Sequence, residues 1–206
     1  MMSVFNIVIA LLSIFSIILL SITFFIPSDS EVYRLIGYFD FSLCAIFLID
    51  FFRQLFRAER RWRYLYTTGW LDLLSSIPMV SEFRYIRIFR VFRVLRIIKS
   101  FTLLLTFIRE NRAATLYGFV VFISYTTLVL ATTGVLYVEK DVGNIQTAED
   151  ALWWSYITIT TVGYGDYYPV TSGGKVLASI LIFCGIATFG TAISYINEKV
   201  ESFKRE

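Results

Sequence analysis

Thr160–Asp166 reads TTVGYGD and follows a short apolar segment, Ala151–Ile159. Two glycines one residue apart let a strand adopt backbone conformations largely closed to other residues. Such a strand can turn successive carbonyls toward one axis, and rings of carbonyls replace the water shell of a cation such as potassium. On this geometry Gly163 and Gly165 supply the backbone freedom, and the Thr161 hydroxyl can add an innermost ligand. The Tyr164 ring can wedge the strand open from behind. One chain gives one carbonyl per layer, so a complete cage needs four chains. A nucleotide-binding loop shares the G-x-G, but needs a preceding strand and a further glycine, both absent here.

A second pattern carries charge. In FRYIRIFRVFRVLRIIK, Arg84, Arg87, Arg90, Arg93, Arg96 and Lys99 occupy every third position with apolar pairs between. On an α-helix a three-residue step turns about 300° and climbs about 4.5 Å, so the charges wind around the axis. As a 3₁₀-helix they would line one face, about 6 Å apart. A surface helix or a nucleic-acid-binding helix would instead keep its bases on one side by mixing spacings of three and four. Acids at membrane depth are available as partners: Asp40 and Asp50 in one apolar span and Asp72 in the next. Helical spacing stacks Asp40, Phe47 and Asp50 on one face. The expectation is a set of stations that basic side chains visit in turn, sealed by the Phe47 ring.

The elements that must hold these residues are apolar helices. Among 206 residues, 57% are hydrophobic and 17% charged, against about 25% charged in soluble domains, with no histidine and a net charge of +3. Mean hydropathy is +0.67. This excludes disordered tails, disulfide scaffolds, histidine chemistry and most cytosolic enzymes. The two cysteines, Cys44 and Cys184, each stand alone in an apolar run and read as buried thiols. Val4–Ile26 lacks charge for 23 residues, about 35 Å of helix and enough to cross a bilayer core. It lacks the basic start and cleavage site of a signal peptide. Further spans are expected at Tyr33–Phe52, Tyr66–Met79, Phe83–Lys99, Ala113–Val138 and Gly174–Asn197. Leu152–Val162 is too short to cross and reads as a re-entrant segment. The fold class is therefore an all-α integral membrane protein.

Arg53, Arg57, Arg60, Arg61 and Arg63 crowd the second connection, and Arg109 and Arg112 flank the fourth. The positive-inside rule then places both termini in the cytoplasm of a multi-pass cell-membrane protein, with the TTVGYGD segment opening outward.

Together these motifs resemble the voltage-gated potassium channel family, of the compact prokaryotic kind, from about Val4 to Val200. The resemblance implies a homotetramer around one pore. It implies a voltage sensor in residues 1–99, an interfacial linker helix in 100–112, and a pore domain in 113–206. Arg84 to Lys99 look like gating charges, and Asp40, Phe47, Asp50 and Asp72 like a charge-transfer centre. Thr161 to Gly165 look like the filter, and Thr160 and Asp166 like its supports. Trp153 and Trp154 resemble an aromatic cuff, with Trp153 bonded to Asp166. Gly185 matches a mid-helix hinge and Gly190 is a second candidate, although glycine there equally serves close helix packing. The inner helix lacks a Pro-x-Pro bend, since the prolines are Pro27, Pro78 and Pro169. Membrane lipids are expected around the assembly. No nucleic acid, soluble ligand domain or cofactor is expected beyond K+ as the permeant ion. With no nucleophile–base pair, metal cluster or phosphate loop, an enzyme is not expected. A sensor without a pore would leave residues 113–200 unexplained, and an acidic sodium or calcium filter would replace the glycine strand with Glu or Asp.

Overall fold

The computed structural model describes residues 4–58 and 112–204, with positions 62, 66, 69, 70, 73 and 76 between them. Asp72, the basic ladder Arg84, Arg87, Arg90, Arg93, Arg96 and Lys99, and residues 100–111 of the expected linker lie outside the described residues. The expected span Tyr66–Met79 is described only at isolated positions, and Phe83–Lys99 not at all.

Every regular element among the described residues is a helix. They are α1 (Val4–Ile22), α2 (Glu31–Arg57), α3 (Arg112–Glu139), α4 (Ala148–Ile159) and α5 (Ser172–Lys204). Among the described residues, four segments are long and apolar enough to cross a membrane: Val4–Ile22, Glu31–Arg57, Leu116–Glu139 and Ser172–Ser202. The protein is thus an all-α, multi-pass membrane protein. In such a setting backbone polar groups must be satisfied within the helix. Hydroxyls follow the same rule by donating back one turn, as Ser13 does to Ile9 O at 2.7 Å and Thr132 to Leu128 O at 2.6 Å.

The boundaries depart from expectation where local hydrogen bonds decide them. α1 stops at Ile22 rather than Ile26, as Phe24 and Phe25 donate to the tighter acceptors Ser21 O and Ile22 O ahead of Pro27. α2 continues past Phe52 to Arg57, so Arg53 and Arg57 belong to a helix rather than to a connection. α4 begins four residues before the expected Leu152 and ends at Ile159, short of Val162. A capping box fixes its start: the Thr147 hydroxyl accepts from Asp150 N at 3.2 Å, and the Asp150 carboxylate accepts from Thr147 N at 3.0 Å. Its 12 residues amount to about 18 Å of helix, short of a crossing as expected.

The chain divides into two compact units, one on Met1–Ser28 and Ile36–Thr115, the other on Asp29–Leu35 and Leu116–Glu206. In the first, α2 buries Ile36, Phe39, Asp40, Leu43, Cys44, Phe47, Asp50 and Phe51. Those positions follow the three-and-four spacing of one helix face. In the second, α3 and α5 run antiparallel. Tyr117 meets Tyr195 edge-on and donates to Glu198 Oε2 at 2.9 Å. Ser124 shares a hydrogen bond with Thr188, and Gly134 leaves room for Leu177.

α5 also closes on the end of α4. A Cβ at Gly185 would collide with the carbonyl oxygen of Ile159 and stand 3.1 Å from its carbon, whereas a Cβ at Gly190 meets nothing within 4 Å. Of the two roles open to Gly185, the packing role has a visible cause.

Two predictions follow from this packing. Gly185→Ala should destabilise the second unit by about 1–3 kcal/mol, because backbone rather than a flexible side chain must move. Gly190→Ala should be neutral or stabilising by up to about 1 kcal/mol. Thermal unfolding in detergent reads both, and equal losses would show that the close approach is not the cause. Thr147→Ala should cost about 1 kcal/mol by opening the capping box, seen as a lower midpoint in the same assay.

Candidate functional site

The end of α4 launches the TTVGYGD segment. Thr160 caps the helix and its hydroxyl donates to Tyr156 O at 2.7 Å. Thr161 N donates to Thr158 O at 3.0 Å, and Val162 N and Gly163 N both reach Ile157 O, at 2.9 and 3.1 Å. The chain leaves the helix with its amides spoken for. Beyond this point φ is positive at every second residue: 60° at Thr161, 57° at Gly163 and 81° at Gly165. In an ordinary strand successive carbonyls point to opposite sides. A left-handed residue at alternate positions turns the intervening peptides over, so carbonyls gather on one side. Glycine takes this conformation freely; a β-branched threonine does not, so Thr161 must be held there by its surroundings.

The holding groups come from α4 and from the loops on either side. Trp153 Nε1 donates to Asp166 Oδ2 at 2.7 Å, the bond the family resemblance implies. The Trp153 ring also stacks on Tyr164, with centroids 5.9 Å apart and planes 10° from parallel. Trp154 is buried. The other oxygen of Asp166 accepts from Tyr167 N at 3.1 Å, and its carbonyl accepts from Asn144 Nδ2 at 2.8 Å. The capping acid Asp150 bonds the Tyr167 side chain as well. Burial opposes its charge, but the Thr147 and Tyr167 hydrogen bonds outweigh that and hold its carboxyl below the usual range. The same bond raises the Tyr167 phenol above its ordinary value.

Two further positions were not singled out by the sequence. Glu139, the last residue of α3, is fully buried and accepts from Val170 N at 3.0 Å, Thr171 N at 2.9 Å and the Thr171 hydroxyl. A Cβ at Gly174 would fall on its carboxylate, so that glycine gives the acid its place. Glu139 thus ties the start of α5 to the end of α3. The clue was an acid at the very end of an apolar span, which reads in sequence as ordinary punctuation. Glu31 accepts from Ala148 N at 2.9 Å, adding an acceptor at the positive end of α4. Arg34 then bridges Glu31 and Glu149. No periodicity links positions so far apart in the chain.

In the first unit Asp40, Phe47 and Asp50 are 2%, 1% and 3% exposed and share the buried face of α2, as their spacing predicts. Asp50 accepts from Arg53 at 3.1 Å and from Gln54 at 2.7 Å, both on its own helix. Arg53 also donates to Asn6 and lies 4.1 Å over the Phe5 ring. Buried acids are stable only with such partners. Cys44 is buried with its thiol 3.9 Å from Asp40, while Cys184 is only half-buried, so the buried-thiol expectation holds for the first alone.

Comparison with known proteins bears on the second unit. The family described as "Ion channel" matches residues 114–202. The potassium voltage-gated channel subfamily A member 4 of Homo sapiens is 35% identical over 81 residues, 38% of this chain and 12% of that protein. Subfamily A member 6 of Mus musculus is 36% identical over 81 residues, 38% of this chain and 15% of that protein. The chain therefore spans under a sixth of the length of these relatives. A solved voltage-gated K+ channel pore domain, in a closed state in lipid membranes, is 35% identical. It covers 42% of this chain and 96% of its own, with a TM-score of 0.39, so the likeness is one of sequence. Over residues 114–202 the chain is thus similar to ion channels and to potassium voltage-gated channels, a likeness that supports a channel protein rather than an enzyme.

Proposed function

We propose that the chain is one subunit of a tetrameric, voltage-gated, potassium-selective channel. The observation that carries the reading is the alternation of positive φ at Thr161, Gly163 and Gly165, braced by the Trp153–Asp166 bond. Four such strands around one axis would cage a dehydrated K+ between the carbonyls of Thr161, Val162, Gly163 and Tyr164. Thr160, Asp166, Trp153 and Trp154 support the strand. Residues 113–206 form the pore, 1–99 the sensor and 100–112 the interfacial linker. Arg84, Arg87, Arg90, Arg93, Arg96 and Lys99 are the gating charges. Asp40, Phe47, Asp50 and Asp72 are the stations they pass, a role favoured by the shared buried face of the first three that are acidic or aromatic on α2. Both termini lie in the cytoplasm.

Moving one charge through 100 mV is worth about 2.3 kcal/mol, so three or four charges in each of four subunits supply tens of kcal/mol. A six-step ladder is enough even when its ends never cross.

Separate experiments test the pore and the sensor. Purified protein in liposomes should pass potassium in strong preference to sodium, and cross-linking should give tetramers. Gly163→Ala should abolish conduction, because a Cβ opposes φ of 57°. Equal potassium and sodium flux, or active membranes holding only dimers, would overturn the pore. For the sensor, replacing Arg87, Arg90 and Arg93 with glutamine should flatten the conductance–voltage curve and remove most gating charge. Unchanged steepness would reduce the ladder to membrane anchoring.

A further inference from the structure

The residue after the last filter glycine is held at three atoms, and only two of those contacts come from α4 or its own neighbour. Trp153 takes Asp166 Oδ2 at 2.7 Å, and Tyr167 N takes Oδ1 at 3.1 Å. The third comes from the loop between α3 and α4. Asn144 Nδ2 donates to the Asp166 carbonyl at 2.8 Å, and Asn144 Oδ1 accepts from Tyr168 N at 3.4 Å. One primary amide thus spans the main chain on both sides of Tyr167, donor to acceptor and acceptor to donor. At neutral pH only asparagine or glutamine carries both groups on one planar end.

The loop is built to present that amide. Gly143 N donates to Glu139 O at 2.9 Å, and Gln146 Nε2 donates to Gly143 O at 3.2 Å. Ile145, next in the chain, is completely buried, and the capping box fixes Thr147. Asn144 itself is exposed, so its bonds compete with water. Anchors at residues 143, 145 and 147 offset that competition by removing the entropy of bringing the amide into place.

We propose that Asn144 is a positioning residue for the pore mouth. Its amide clamps the backbone after Gly165 opposite the Trp153 brace and sets how long the carbonyl column persists during conduction. The proposal rests on the filter reading above. The left-handed residues Thr161, Gly163 and Gly165 do not hold one another by hydrogen bonds along the strand, so slack introduced at Asp166 passes directly into the column.

The test uses the full chain in planar bilayers, with potassium and sodium on the outer side in turn. Asn144→Asp is nearly isosteric and keeps the acceptor for Tyr168 N, but sets a carboxylate against the Asp166 carbonyl. At neutral pH its current should decay about five- to tenfold faster during sustained opening than that of the wild type, the effect of one ordinary hydrogen bond. The voltage of half-opening should not move. Acidification of the outer solution through about pH 4–6, the carboxylate range, restores a donor on the same side chain and should restore wild-type persistence. Asp150, Asp166, Tyr167 and Tyr168 face the same mouth, so each rate is read relative to the wild type in the same solution. Asn144→Ala should decay as fast as Asn144→Asp at neutral pH and show no recovery in acid. Wild-type persistence in Asn144→Asp at neutral pH, or no recovery in acid, overturns the clamp. A wild type that fails to select potassium overturns the filter reading and the clamp together, a result distinct from either.

Discussion

A column of carbonyls on one side of a strand is a conformation the strand cannot sustain by itself. Its three left-handed residues include Thr161, whose branched side chain disfavours φ of 60°. None of the cross-strand bonds of a sheet is available to it. The restraint has to come from outside, and the second unit supplies it from both ends. At one end, amides of Thr161, Val162 and Gly163 are anchored to α4 carbonyls. At the other end, Trp153 and Asn144 hold Asp166. α4 is therefore less a spanning element than a mount, and its capping box, the Glu31 acceptor and the close approach of Gly185 all serve to fix its position.

The second constraint is the low dielectric of the surroundings. Among the described residues, two of the acids kept inside the protein sit among donors. Glu139 takes two backbone amides and a hydroxyl, and Asp50 takes Arg53 and Gln54. The two acids do different work with the same chemistry. Glu139 is bonded to backbone of a loop and the start of α5, which fixes geometry. Asp50 is bonded to side chains, which can exchange for others. That difference suits one to a permanent tie and the other to a station in the proposed sensor.

The parts legible in the sequence are those written in short windows. The TTVGYGD strand with its glycines, the apolar spans and the buried face of Asp40, Phe47 and Asp50 depend on residues close together in the chain, and the Trp153–Asp166 pair, 13 residues apart, was carried by the family resemblance. Asn144, Glu139 and the Glu31–Arg34–Glu149 group were not legible, because each acts on residues 22 or more positions away. A loop asparagine, a helix-end glutamate and a surface ion pair are the commonest bland features of any chain. The α4 start was missed for a different reason. Hydropathy ignores Thr147–Asp150, whose polar side chains are what start the helix.

Burial is unequal between the apolar helices, and that inequality has a direction. α1 buries most of its apolar residues within the chain, while α5 leaves Val176, Ile180, Phe183, Ile186, Ile193 and Ile196 exposed. Val162 and Tyr164 are exposed too, at 53% and 70%. Lipid can cover a smooth helix face, but it cannot satisfy a row of carbonyls, and a hydrocarbon solvent at the filter would leave each of them without a partner. The exposed strand, if it is the proposed filter, therefore needs a polar occupant on its carbonyl side and protein on its other sides. Symmetric copies of the same strand meet both needs at once, since each contributes oxygens to the axis and side chains to its neighbours. The uncovered apolar face of α5 and a strand that cannot satisfy its own carbonyls are two expressions of one requirement, and the fourfold assembly proposed here meets it.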